Sequence, residues 1–100
     1  MERKEMVRKL EGYTLTPFQR KVLLATFTIP EGETRSYKQI ADMAGYPGAA
    51  RAVGSVMRMN PLAPVIPCHR VIRSDGRIGN YSAPGGRKKK IALLKKEHAI

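Results

Sequence analysis

Residues 36–58 run Ser36-Tyr37-Lys38-Gln39-Ile40-Ala41-Asp42-Met43-Ala44-Gly45-Tyr46-Pro47-Gly48-Ala49-Ala50-Arg51-Ala52-Val53-Gly54-Ser55-Val56-Met57-Arg58. Ser36 followed three residues later by Gln39 is a capping-box pattern, which opens a short helix with Ile40, Ala41 and Ala44 inward. Gly45 ends it, and Pro47 is expected to begin a second helix running to about Arg58. That helix carries an apolar stripe of Ala49, Val53, Val56 and Met57. The opposite stripe is Arg51, Ser55 and Arg58, flanked by the small residues Ala50, Ala52 and Gly54. Two short helices around a tight Gly-Tyr-Pro-Gly turn make a helix-turn-helix, with 47–58 in the recognition position. Small residues around Arg51 suit close approach to another backbone, and they suit tight packing inside the protein equally well.

Upstream, residues 2–11 are predicted to form a short helix with Met6, Val7 and Leu10 on one side, stopped by Gly12. Thr16-Pro17-Phe18-Gln19 combines a Thr N-cap, Pro at the first helical position and Gln three residues on. Phe18, Val22, Ala25 and Ile29 follow at helical spacing, and Pro30-Glu31-Gly32-Glu33 is a turn. Downstream, a proline-punctuated loop over 60–67 leads straight into Cys68. Residues 69–73 and 77–79, joined by Ser74-Asp75-Gly76, are predicted as a wing-like β-hairpin. A last helix is predicted over 85–99, with Ile91 and Leu94 inward and Arg87, Lys88, Lys89 and Lys90 at its start. Basic residues there oppose the helix dipole, which points to a phosphate partner or to a solvated charge run. The expected fold class is mostly α with a small β-hairpin, a winged helix-turn-helix in a single domain over 16–100, preceded by an N-terminal extension over 1–15.

The chain has 100 residues, 42% of them hydrophobic, which fits one small globular domain. No apolar run approaches membrane-spanning length, the charged N-terminus does not read as a signal peptide, and one cysteine makes neither an internal disulfide nor a four-ligand zinc site. An intracellular protein in a reducing compartment is expected: cytoplasmic and nucleoid-associated in a prokaryote, nuclear in a eukaryote. The net charge of +11 is lopsided. Residues 1–50 carry 8 basic and 6 acidic side chains, whereas residues 51–100 carry 11 basic and 2 acidic, a net of +9. A half with so few carboxylates attracts a polyanion. Arg58, Arg70, Arg73 and Lys88 to Lys90 are phosphate-contact candidates on local charge alone.

Cys68 is the single cysteine and His69 one of two histidines. A thiol is mostly protonated at neutral pH, and a neighbouring imidazole can take its proton directly or through one water. In an extended segment adjacent side chains point to opposite faces, so a tight turn or a water relay is required. Glu97 is one of two acids after Asp42 and is the candidate to orient His69; Asp75, at a turn tip, is the poorer one. Against this stands the reading of Cys68 as an inert buried hydrophobe, supported by Val65, Ile66, Val71 and Ile72 around it.

Taken together, Ser36 to Ala41, Ala49 to Gly54, Met57-Arg58-Met59-Asn60-Pro61, Ile66-Pro67-Cys68-His69-Arg70-Val71-Ile72 and Gly76-Arg77-Ile78-Gly79-Asn80-Tyr81-Ser82 resemble the O6-alkylguanine-DNA alkyltransferases, in collinear order from about Thr16 to Glu97. The resemblance implies direct, single-use repair of duplex DNA containing O6-alkylguanine, with the base rotated out into a pocket. It implies catalytic roles for Cys68, His69, Glu97, Tyr37 and Asn60: the acceptor thiol, its base through water, the carboxylate behind the base, the donor to the departing guanine, and the buttress of the reactive turn. Tyr81, the backbone at Ser82 and the carbonyls of Cys68 and Val71 would hold the base. Arg51, beside Ala50 and Ala52, would fill the vacated stack, with Ser55, Arg58 and Tyr37 also facing DNA.

No cofactor and no metal is implied, nor any membrane. The implied partner is duplex DNA, with the protein a monomer that associates with other repair proteins as an open option. A second reading is a non-catalytic alkyltransferase-like lesion binder that recruits other factors; such proteins lack the cysteine. A third is a winged-helix regulator reading the major groove. Three departures from the family pattern stand out. An extra N-terminal domain usual in the family is not seen before the helix-turn-helix, so Met6, Val7 and Leu10 are expected to cover part of the face it would shield. Residues 83–86 add about two positions before the last helix, and Ala63 stands where proline is frequent.

Overall fold

The computed structural model describes residues 1–79, 81 and 84–100. Among these are five helices, α1 (Arg3–Glu11), α2 (Pro17–Phe27), α3 (Tyr37–Met43), α4 (Ala50–Met59) and α5 (Gly86–Lys96), and two two-residue strands, β1 (Arg35–Ser36) and β2 (Val71–Ile72). Local chemistry sets most boundaries. Thr16 and Ser36 each close a full capping box, with Gln19 N to Thr16 Oγ1 at 3.1 Å and Gln39 N to Ser36 Oγ at 3.0 Å. Gly45, at φ +87°, ends α3 in a Schellman motif: Tyr46 N bonds Ala41 O and Gly45 N bonds Asp42 O.

The second helix of the pair starts later than the expected Pro47. Ala49 N bonds Tyr46 O at 3.1 Å, and Gly48 has φ +87°. Pro47-Gly48 are therefore the central residues of a turn of type II character, and α4 begins at Ala50. Phe18 of α2 meets Tyr46 edge-to-face at 4.8 Å, which fixes that turn against the helix behind it.

The core lies between α2, α3 and α4, built from Val22, Leu23, Ile40, Val53, Val56 and Ile66. Met6 and Leu10 of α1 are fully buried against it and Val7 is half-buried, so the amphipathic N-terminal helix covers one face. The mostly-α class with a small β element stands, but the pairing differs from a hairpin. Val71–Ile72 pairs in parallel with Arg35–Ser36, register Arg35 to Val71 and Ser36 to Ile72. Arg73 N bonds Arg77 O at 2.9 Å, closing the turn over 74–76, yet 77–79 adds no strand. The tight turn before Val71 leaves only two residues extended, and β1 occupies their edge. No helix is long and apolar enough to cross a membrane among the described residues.

Candidate functional site

Pro67 has φ −81° and ψ 68°, and Cys68 N bonds Ile66 O at 2.8 Å, an inverse γ-turn. A 3-10 turn over Cys68–Arg70 follows immediately. This double turn carries Cys68 and His69 out of the extended geometry that would separate them. Asn60, at the end of α4, braces it: Nδ2 donates to Ile66 O at 2.9 Å, and Oδ1 accepts from Leu62 N at 3.0 Å. Cys68, 5% exposed, lies in the wall of an open pocket of about 640 Å³. Tyr37, Tyr81, Met57 and Gly79 also line it, with Arg51, Arg58 and Arg73 among its basic residues.

Behind the thiol, His69 Nε2 lies 3.0 Å from Glu97 Oε2. Glu97 caps the end of α5, where His98 takes φ 59° and Ala99 N bonds Leu94 O, a second Schellman motif. Arg70 grips the same carboxylate with two bonds, Nε to Oε1 at 2.8 Å and Nη2 to Oε2 at 2.6 Å. Its Nη1 donates to Ile29 O at 2.8 Å, so the assembly is tied to the end of α2. The Arg70 hydrogen bonds hold the Glu97 carboxyl down at about 2, far below its ordinary value.

Burial pushes His69 below the usual imidazole value, against the pull of Glu97, so the ring is neutral near pH 7. An ionised carboxylate only accepts, which assigns the proton to Nε2 and the lone pair to Nδ1. Nδ1 is buried, with no hydrogen-bond partner among the described residues. Burial also raises the Cys68 thiol, while the Asn60 side chain and the Lys90 charge pull it back.

The remaining expected site residues fall in three places. Tyr37, at the first position of α3, and Tyr81 line the pocket, and burial raises both phenols. Arg51, Ala52, Ser55 and Arg58 form the exposed face of α4, with Ala50 half-buried at the pocket edge. Arg58 Nη2 donates to Ser55 Oγ at 3.3 Å. Ser82 lies outside the described residues.

Two basic residues are not surface phosphate candidates. Arg70 is committed to Glu97 and Ile29. Lys90 is 0% exposed and donates to the Val71 carbonyl at 2.6 Å, so it does not belong with exposed Lys88 and Lys89. The signal that finds it is helical period: Lys90, Leu94 and Glu97 share one face of α5, four and three residues apart. The Arg70–Glu97 pairing, 27 residues apart in sequence, has no local signal.

The pocket beside the helix-turn-helix, with a thiol in its wall and a histidine–carboxylate pair behind, defines a small helix-turn-helix domain built around a single cysteine. Residues 17–99 match the model of the 6-O-methylguanine DNA methyltransferase DNA-binding domain, and the chain belongs to that family. It is 50% identical over 84 residues to the methylated-DNA--protein-cysteine methyltransferase of Mycobacterium tuberculosis, covering 84% of this chain and 51% of the relative. The crystal structure of M. tuberculosis OGT in complex with DNA matches with TM-score 0.80 and 51% identity, over 86% of this chain and 52% of that one. S. pombe Atl1, in complex with damaged DNA containing O6-carboxymethylguanine, matches with TM-score 0.73 and 33% identity, over 85% of this chain and 79% of that one. The chain thus spans about half the length of the methyltransferase relatives it matches.

Proposed function

We propose that the protein repairs duplex DNA by moving the alkyl group of an O6-alkylguanine irreversibly onto Cys68. The observation that carries this reading is the placement of a neutral, oriented histidine beside the pocket's thiol, with Glu97 fixing its tautomer at 3.0 Å. A target base must leave the stack to reach such a pocket. Arg51 enters the gap from the exposed face of α4, where Ala50 and Ala52 let the helix come close. Arg58, Ser55 and the exposed Arg73, Lys88 and Lys89 meet phosphates.

In the pocket, Tyr37 and Tyr81 flank the base, and the carbonyls of Cys68 and Val71 accept from its exocyclic amine. Val71 N donates to the Cys68 carbonyl and Lys90 Nζ to the Val71 carbonyl, and a carbonyl has two lone pairs. The Cys68 proton passes through water to His69 Nδ1, and the imidazolium formed is held by Glu97. The thiolate attacks the alkyl carbon, the S–C bond forms as the C–O6 bond breaks, and the electron pair leaves on guanine. Tyr37 hydrogen-bonds the departing base, which takes up one proton from water as His69 returns the thiol's proton to solvent, and the protein ends with a thioether. Nothing regenerates the thiol, so each molecule acts once, as a monomer and with no cofactor.

The similarity to S. pombe Atl1, whose structure holds damaged DNA, supports lesion binding, and binding without transfer is the second reading. Incubation with an oligonucleotide duplex containing O6-methylguanine, followed by protein mass measurement, separates the two. A gain of one methylene unit, absent in Cys68→Ala, supports transfer; lesion-selective binding with unchanged mass overturns it in favour of the second reading.

A further inference from the structure

Lys90 is the buried titratable group that this chemistry leaves unused. It reaches in from α5 to Val71 and to two residues of the pocket wall, Tyr37 and Gly79. Its Nζ bonds the Val71 carbonyl at 2.6 Å and lies 5.8 Å from the centre of the Tyr37 ring. A Cβ built on Gly79 would stand 3.7 Å from Nζ and 3.4 Å from the Tyr37 hydroxyl. We propose that Lys90 is a positioning residue for the thiol: its buried ammonium, anchored to the Val71 carbonyl, is the counter-charge that lets Cys68 ionise inside the pocket. The inference deepens the transfer reading and rests on it.

Passing the thiol proton to His69 creates two charges in a place that disfavours both. The imidazolium meets Glu97, which is already ionised and gripped by Arg70. The thiolate needs a partner of its own, and the chain has buried a lysine against Val71, Tyr37 and Gly79, the last two of which line the pocket with Cys68. Burial raises the thiol and lowers the amine, to about 8, while each group's charge opposes the shift of the other. The Lys90 charge also pushes His69 down, keeping that base neutral until it is used. The other titratable and charged groups lining the pocket are Tyr37 from α3, Arg51 and Arg58 from α4, and Arg73, Asp75 and Tyr81 from the loop after β2. Arg58 and Arg73 bear on Tyr37, and Lys90 lowers Cys68 alongside the Asn60 side chain.

The amine is charged below about 8, so its help is present at neutral pH and fades as pH rises through that value. In the full chain, Lys90→Met keeps the apolar stem and removes the charge. Because Cys68 is the single cysteine, the pH dependence of its reaction with iodoacetamide reads one thiol. The expected result is an ionisation midpoint raised by about one pH unit or more, with roughly tenfold slower reaction at neutral pH. An unmoved midpoint in the folded variant overturns the proposal.

If Lys90→Met does not fold, the reciprocal measurement is made on Cys68→Ala: the Lys90 Nζ titration, followed by nitrogen NMR, should move to lower pH than in the parent protein. An identical titration overturns the proposal. Iodoacetamide needs no DNA, so these results stay readable even if the parent protein takes no methyl group from O6-methylguanine, which would sink the transfer reading instead.

Discussion

Glu97 serves two masters, and the consequences show in its pH dependence. Its carboxyl is depressed from 4.5 to about 2 in the fold, so the stability it contributes is complete above about 4.5 and is lost as pH falls towards 2. Glu97→Gln should lower stability by ~2–3 kcal/mol at neutral pH, the loss of charge-assisted bonds to a half-buried arginine, and should blunt that acid drop. Denaturant melts at several pH values check both. His69 has the opposite chemistry and the same sign. Its folded value lies below 6.5, so the unfolded chain takes the proton first and stability falls as pH drops below 6.5. Single-turnover methyl transfer should hold its rate down to about pH 6.5 and decline only below, as Nδ1 becomes protonated. A decline already under way at pH 7.5 would show that the imidazole is not held neutral. At this scale Cys68, His69 and Glu97 could be picked from the chain because cysteine, histidine and acid are scarce in it. Lys90 could not be picked the same way, because Arg87-Lys88-Lys89-Lys90 looks uniform until a helix turns its fourth member inward.

The helices show why some boundaries could be read and others not. Both capping boxes involve partners three residues apart, so Thr16 with Gln19 and Ser36 with Gln39 announce themselves locally. The start of α4 depends on Gly48 adopting a positive φ, which shifts Pro47 from helix to turn. β2 depends on β1, a partner 36 residues away that no local pattern specifies. Within α4, Gly54 is helical, and a Cβ added there meets nothing within 4 Å. Gly54→Ala should therefore raise stability by about 1 kcal/mol through helix propensity alone. The same methyl projects towards the proposed DNA face, so affinity for duplex DNA should fall in a titration while the melting temperature rises. Affinity unchanged alongside greater stability would mean that the small residues of α4 serve internal packing, the alternative left open by the sequence.

Across the molecule, α1 closes the core. Met6 and Leu10 are fully buried, and each such side chain contributes ~1.5–3 kcal/mol. A chain lacking residues 1–12 should melt at clearly lower temperature; an unchanged melt would show that the helix is dispensable to the core. The excess of basic over acidic residues in 51–100 gathers several arginines at the pocket: Arg51 and Arg58 on α4, Arg73 after β2. For a catalyst that turns over, such charge would be one aid among many. Under the proposed transfer a molecule is spent on its first lesion, so its performance would be the time needed to find one altered base among a great many sound ones. On that reading a cationic rim around the opening would capture the duplex pocket-first and let the protein slide with its reactive turn already facing the groove. The arginines around the pocket would then act as a search instrument, and the quantity they tune would be encounter frequency per molecule.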